Sequence, residues 1–360
     1  MRLSMVQVLT ASVRDVRYFS ALLRGINFSN RASVTLTADA GMIVTVEEAR
    51  SLLATSYIYP DHFDEWSYRV DLPPPAASQL SDPDVDPSST SFEIPLNTLI
   101  ECLNIFGTAN TFSAGSGSKH KKWRREGDAS DDERHEERRD GRQQARGGSN
   151  APGSNRLDQY FGGGNDKRTS MRLSYGGPGY PLTLLLAEDS SGPTTTCEIS
   201  TFDPEPNIEL PFDGDQTVIK IIFKSSSWLR DALSELDASS EKITFISNPA
   251  TTAGTRRGVA TRPLFRIKAS GAFGSTEMDY PNDREVLETF ECTRPVTASY
   301  HFAHISRTLR ALQSSTKTSL RIEEAGLLSL QFLVLVPKPR GGMSDSFIEF
   351  RCLALDEEAS

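Results

Sequence analysis

Residues 13–28 read VRDVRYFSALLRGINF, and this stretch, followed by the runs ASVTLTAD (32–39) and MIVTVEE (42–48), decides the fold. Apolar residues in the first stretch recur at steps of three or four, which predicts a helix over 13–26 with one buried stripe. The stripe consists of Val13, Val16, Phe19, Leu23 and Ile26. The two runs that follow alternate apolar and polar residues, which predicts strands with one buried face.

Three further helices are predicted, over 95–106, 226–236 and 301–312, each with its own apolar stripe. Most of the remaining chain consists of short alternating or β-branched runs separated by turn residues, which favours antiparallel sheet. The order strand, helix, several strands, helix, several strands occurs twice, the second time from about Thr217. The sequence therefore predicts an α+β protein in which a β-rich unit with two helices is duplicated.

Length and composition fit two folded domains interrupted by a polar segment. The chain has 360 residues, of which 37% are apolar and 24% are charged, and single cores stop growing well before that length. Residues 108–169 lose the apolar periodicity and become rich in Ser, Gly, Arg, Asp and Glu. Such a segment cannot bury enough apolar surface to order itself, so we expect a disordered insertion within the first domain.

Composition also limits the classes of function. The net charge of −9 argues against a uniformly basic surface for nucleic acid, so any DNA contact must use a localised stripe. Cys102, Cys197, Cys292 and Cys352 form no C-x-x-C pair, which indicates buried thiols rather than disulfides or a metal site. Neither a secretory signal nor a run of about 18 apolar residues occurs, which predicts a soluble intracellular protein without a membrane partner.

Seven blocks in series resemble a known family. They are VRDVRYFSALLRGINF, MIVTVEEA, TLIECLNIFG, GYPLTLLL, LRDALSELD, FRIKASGAFGSTEMDYP and LSLQF. In this order they are similar to the Rad-one subunit family of the heterotrimeric nine-one-one checkpoint clamp, which is related to the proliferating cell nuclear antigen clamp. The resemblance runs from about Ala11 to Asp356 and departs from the family in the 108–169 insertion.

The resemblance implies two tandem sliding-clamp domains, at 1–202 and 217–357, with antiparallel sheets outside and two helices per domain on the concave side. An interdomain connector would span 203–216. Two other clamp-like subunits would complete a heterotrimeric ring around double-stranded DNA, without sequence preference and without a cofactor. A clamp loader would place the ring at damage sites in the nucleus, where it would recruit checkpoint kinase activators and repair enzymes.

The resemblance also implies roles for particular residues. The connector would include Asp203, Pro204, Pro206 and Leu210. Ring closure would use two edge strands, at Thr194–Thr201 and Ser275–Tyr280. The interface residues assigned on these strands are Thr195, Cys197, Ile199, Ser275, Glu277 and Asp279.

Positive charge on the helices is the test of a DNA-facing surface. Arg14, Arg17 and Arg24 recur at offsets of three and seven, and His304, Arg307 and Arg310 recur at steps of three. Lys224 and Arg230 add two cations around the third helix, beside Asp231 and Glu235. Loose phosphate contacts of this kind suit a ring that slides. The ordinary alternative is that charged residues simply occupy a solvated helix face.

Two other functional classes remain open on the sequence. A 3'-5' DNA exonuclease would need clustered carboxylates, for which Glu47 with Glu48 and Asp203 with Glu205 are the local candidates. A protein-interaction scaffold without DNA contact would keep its partners after the helix arginines are reversed. No G-x-x-x-x-G-K-[ST] loop occurs, which argues against an ATPase. No catalytic residue or metal ligand is assigned.

Two short signals lie inside the insertion. KHKKWRR (119–125) is a basic cluster of the kind that nuclear import receptors bind, which favours a nuclear protein. Leu157, Tyr160 and Phe161 are spaced like the anchors of clamp-binding peptides, and we hypothesise that they dock on a clamp.

Overall fold

The computed structural model describes residues 7–69, 89–110, 168–188, 192–250, 263–339 and 341–356. The first half of the chain contains β1 (Leu9–Val13), α1 (Val16–Gly25), β2 (Arg31–Thr37), β3 (Gly41–Glu48), β4 (Leu52–Ile58), β5 (Glu65–Tyr68), β6 (Thr90–Pro95), α2 (Leu96–Leu103), β7 (Ser170–Tyr175), β8 (Leu182–Ala187) and β9 (Thr194–Ile199). The 119–125 and 157–161 signals lie outside the described residues, as does nearly all of the predicted insertion.

The second half repeats this series. It contains β10 (Thr217–Phe223), α3 (Ser227–Ser234), β11 (Ser240–Ser247), β12 (Phe265–Gly271), β13 (Gly274–Tyr280), β14 (Leu287–Cys292), β15 (Val296–His301), α4 (Phe302–Ser306), α5 (Leu309–Ser314), β16 (Lys317–Glu323), β17 (Leu328–Pro337) and β18 (Met343–Cys352). Strand for strand the order matches the first half, and the α4–α5 pair stands where α2 stands. The predicted duplication is therefore present in the topology.

Sheet order confirms the duplication independently of element order. The arrangement β5-β1-β7-β8-β9 in the first half recurs as β14-β10-β16-β17-β18, and β4-β3-β2-β6 recurs as β13-β12-β11-β15. Pairing of β18 with β4 joins two of these four sheets into one nine-stranded antiparallel sheet. The joint runs from Phe347 opposite Tyr57 to Cys352 opposite Leu52. The two halves are thus connected through backbone hydrogen bonds as well as through the chain.

Helix boundaries differ from the prediction by a few residues at each end. Val13 is buried as expected but ends β1, because Asp15 caps α1 by accepting a hydrogen bond from the backbone N–H of Arg17. The predicted 301–312 helix is two short helices, since the chain turns at Arg307 and Thr308. Within the described residues, no helix is long and apolar enough to cross a membrane.

The helices and the connector lie on opposite faces of the nine-stranded sheet. Gly25 of α1 packs against the Ile348 side chain, and His304 of α4 contacts Cys352. Arg351, between these two strand positions, donates to the carbonyl of Leu210 in the connector. Alternate residues of a strand point to opposite faces. The sheet therefore separates a helical side from a connector side.

Candidate nucleic-acid interface

The helices of the two halves form one continuous layer. Helix α1 contacts α2 on one side and α5 on the other, and α5 in turn contacts α3. The α1–α5 contact crosses the boundary between the halves and is close, because Gly25 approaches the Cα of Ala311. The apolar stripe of α1 faces the core, with Val16, Phe19 and Leu23 buried. Polar residues of both halves are therefore presented on a common helical side.

Carboxylates neutralise five of the eight predicted cations. Arg14 pairs with Asp64, Lys224 with Glu285, and Arg230 with Asp231. Arg307 donates two hydrogen bonds, of 2.9 and 3.0 Å, to the carboxylate of Glu48. Arg17 binds Asp15 at 2.7 Å, and its side chain is only 12% exposed. Arg14, moreover, precedes the helix instead of sharing its face. These side chains offer less charge to a ligand than the sequence indicates.

Arg24 and Arg310 differ from the other predicted cations because the bonds that they make go to carbonyls. Arg24 donates to the carbonyl of Ala109 at 3.1 Å, and Arg310 donates to the carbonyl of Asn27 at 3.1 Å. Burial, and then the positive charge of Arg310, lower the pKa of Arg24. An arginine stays protonated in proteins all the same. Two neighbouring cations, one from each half, thus lie at the α1–α5 contact, and neither is paired with a carboxylate of the described part of the chain.

A polar pocket includes Arg310 and Gly25, the residue that follows Arg24. It is lined by Asn27, Ser29, Asn30 and Asn97 from the first half and by Ser306, Arg307 and Arg310 from the second. Amide and hydroxyl groups that accompany arginine are common phosphate ligands in protein–DNA complexes. The pocket lies on the helical side of the sheet, where the sequence placed the DNA. Its asparagines are not among the predicted DNA contacts, because the prediction counted only charged side chains.

His304 is buried, so it presents no cation to an exposed surface. Its Nδ1 lies 3.9 Å from the Sγ of Cys352, and burial, then the neighbouring His301, lower its pKa from the ordinary 6.5. Since the unfolded chain binds the proton more readily, stability present above pH 6.5 is lost as the pH falls through that value toward the lowered pKa. We expect His304→Gln to flatten the fall in melting temperature between pH 7.5 and pH 5.5. An unchanged profile would contradict this assignment.

The two predicted interface strands are sheet edges among the described residues. β9 ends one sheet and β13 ends another. Thr195, Cys197 and Ile199 face inward on β9, and Ile199 is fully part of the core. Ser275, Glu277 and Asp279 are exposed on β13, where Arg266 of β12 binds both acidic residues. Backbone groups at both edges are therefore placed to pair with another strand.

The predicted connector follows β9 as an extended segment that crosses the sheet. Backbone N–H groups of Glu205 and Ile208 donate to the carboxylates of Glu93 and Glu47, each at 2.7 Å. Arg31 binds Glu205 as well. Leu210 is buried, while Asp203, Pro204 and Pro206 are exposed. Three of the four carboxylates that the sequence left open as nuclease candidates therefore have partners: Glu47 and Glu205 in these contacts, and Glu48 with Arg307.

A buried charged network under the connector was not anticipated. Glu349 is 4% exposed and accepts hydrogen bonds from Arg351 and from the hydroxyl of Ser329, each at 2.8 Å. Arg321 approaches the same carboxylate at 3.4 Å and lies under the ring of Phe212, 4.6 Å from its centroid. The signal in the sequence was the alternation of Glu349 and Arg351 with apolar residues in FIEFRC.

Comparisons with known proteins agree on the family and the fold. The family model described as Repair protein Rad1/Rec1/Rad17 matches residues 8–334. Human "Cell cycle checkpoint protein RAD1" is 29% identical over 350 residues, which cover 97% of this chain and 92% of that protein. "DNA repair exonuclease REC1" of Mycosarcoma maydis is 27% identical over an alignment of 453 residues, covering 98% of this chain and 96% of that protein.

A solved structure shows the same fold at low sequence identity. The crystal structure of Proliferating Cellular Nuclear Antigen from Entamoeba histolytica superposes with a TM-score of 0.59 and 13% identity, and the match covers 98% of this chain and all of that one (100%). The predicted α+β sliding-clamp fold is thereby confirmed.

Proposed function

The chain belongs to the Rad1/Rec1/Rad17 repair-protein family, and from this premise we propose that it is one subunit of a ring-shaped sliding clamp in DNA-damage checkpoint signalling. The ring would enclose double-stranded DNA without reading its sequence, and it would recruit checkpoint and repair proteins in the nucleus. The checkpoint role is supported by the name of the human relative, "Cell cycle checkpoint protein RAD1".

The repeated architecture is the observation that carries the proposal. Two halves of one topology share a helical layer and a sheet, and among the sheet edges of the described residues β9 and β13 correspond to the two strands of the internal joint. The internal joint of β18 with β4 is the template for joints between subunits, because β9 is the counterpart of β18 and β13 is the counterpart of β4. Two other clamp-like subunits, placed by a clamp loader, would then complete the ring.

DNA would pass along the helical layer. Arg24 and Arg310 would contribute phosphate contacts, with weaker contributions from Arg14, Lys224, Arg230 and Arg307, which already have carboxylate partners. Such contacts are electrostatic and exchange readily, so they allow sliding. Persistence on DNA would come from enclosure by the ring rather than from affinity. The connector, on the opposite face, would be open to recruited proteins.

Exonuclease activity is the second candidate, because the Mycosarcoma maydis relative carries that name. A two-metal nuclease needs several carboxylates around ions about 4 Å apart. In the described part of the chain, no group of three or more His, Cys, Asp or Glu side chains could hold a metal ion. We therefore propose a non-catalytic role. Release of nucleotides from 3'-labelled duplex by the purified protein with Mg²⁺ or Mn²⁺ would establish the alternative.

Subunit composition provides the direct test of this proposal. The full chain is purified with a tag from its own cells, and the mass of the intact complex is measured under native conditions. We expect one copy of this chain with one copy each of two different clamp-fold proteins. A lone monomer, or a complex that contains no other clamp-fold chain, would contradict the proposed function.

A further inference from the structure

Phe273 is the most exposed large apolar side chain of the described residues, at 89%. It lies in the turn between β12 and β13, where the chain reads Gly271-Ala272-Phe273-Gly274 and Gly274 has a positive φ of 146°. An aromatic ring this exposed at the tip of a turn gains little from the fold of its own chain. Its position beside an open edge strand suggests an intermolecular contact.

The counterpart turn in the first half makes contacts across the joint between β18 and β4. It connects β3 to β4, and it reaches across the β18–β4 joint to the other half. Glu48, the last residue of β3 before this turn, binds Arg307, and the carbonyl of Ser51 in the turn accepts a hydrogen bond of 2.9 Å from the N–H of Leu353. The turn and the residue before it therefore stabilise the joint through two contacts. One is with Arg307 on the helical side, and the other is with Leu353, which follows β18.

The Phe273 turn occupies the same place in the second half, but with different chemistry. Register through the sheets makes Gly271 the counterpart of Glu48, because each directly precedes its turn and pairs with the first residue of the next strand. The acidic residue that binds Arg307 at the internal joint is thus missing here, and the phenyl ring is present instead. An apolar contact would replace the ion pair.

We propose that the Phe273 turn anchors a neighbouring clamp-fold subunit, with the phenyl ring seated on the apolar segment that follows the second helix of that subunit's first half. This inference rests on the proposed ring. The corresponding segment of this chain exposes Ile105, so the position accommodates apolar residues. The β13 edge would carry backbone pairing, and Phe273 would supply the buried aromatic anchor of the interface.

Site-specific crosslinking tests the anchor in the assembled complex. Phe273 is replaced by p-benzoylphenylalanine in the full chain, the purified complex is irradiated, and the crosslinked peptides are sequenced. We expect crosslinks to the segment that follows the second helix, or to the residues after the ninth strand, in one clamp-fold partner. Crosslinks at any other part of that partner, or none although the partner is bound, would overturn the inference.

Substitutions measure how much the anchor contributes. Phe273→Asp should weaken binding of that partner tenfold or more, whereas Phe273→Leu should retain most of it, and Met343→Asp provides a control at an exposed residue of the β17–β18 hairpin. Equal binding by all three variants would contradict the role of Phe273 as an anchor, but it would not contradict the proposed ring. If the unmodified chain bound no clamp-fold protein, both the proposed function and the inference about Phe273 would be wrong.

Discussion

Reversing both Arg24 and Arg310 to glutamate is expected to weaken DNA binding by the assembled ring roughly tenfold per arginine at 0.1 M salt. Each phosphate contact releases counterions, so the slope of log K against log salt should fall by about 0.9 for each contact that is lost. Both side chains are bonded to carbonyls, and no carboxylate of the described residues is paired with either of them. Fluorescence anisotropy with duplex DNA over a salt series measures both quantities.

Lys220 and Arg294 provide the charge-matched control. Both are paired with surface carboxylates, and Lys220 points away from the core because it alternates with buried Ile219 and Ile221. Reversing this pair changes the net charge by the same amount and should leave the salt slope unaltered. Equal losses in the two double variants would show that net charge, and not the helical layer, determines DNA binding.

Replacing Glu349 by glutamine is expected to lower the free energy of unfolding by about 3 kcal/mol or more, because two largely buried arginines then lose their counter-charge. Glu349 is 4% exposed, while the side chains of Arg321 and Arg351 are 22% and 27% exposed. Because Arg351 also holds the carbonyl of Leu210, the connector should become more accessible to proteases in the same variant. Urea unfolding and limited proteolysis check the two effects.

An exposed ion pair gives the comparison for Glu349. Glu291 lies 3.7 Å from Lys220 at the surface, and such pairs contribute about 0–1 kcal/mol. Glu291→Gln should therefore leave the unfolding midpoint almost unchanged. If Glu349→Gln were as mild as this control, the network would not hold the connector to the sheet.

Periodicity sufficed for the fold wherever one face of an element is buried. The α1 and α2 stripes and the alternation in β2, β3 and β17 are all reproduced in the burial pattern, as hydrophobic burial requires. Boundaries were less accurate, because they depend on local hydrogen bonds such as the one that Asp15 makes at the start of α1. The turn at Arg307 inside the fourth predicted helix has no counterpart in the apolar pattern.

The candidate site was less predictable because charge on a helix says nothing about its partner. Arg307 binds Glu48, which is 259 residues away in the sequence, and Arg31 binds Glu205, which is 174 residues away. His304 occupies a helical position compatible with exposure, but its ring is buried beside Cys352 of β18. The interface residues and the division at 203–216 stay predictions, to be tested in the assembled complex.

Retention on DNA of defined topology tests the ring most directly. The purified complex is loaded on a closed circular plasmid, washed at high salt, and the plasmid is then cut once with a restriction enzyme. A ring that encloses DNA should stay on the circular plasmid and slide off the linear product. The complex with Arg24 and Arg310 reversed to glutamate should behave in the same way, but a smaller amount of it should load. A complex that leaves the circle in high salt, or that stays equally on cut DNA, would contradict enclosure.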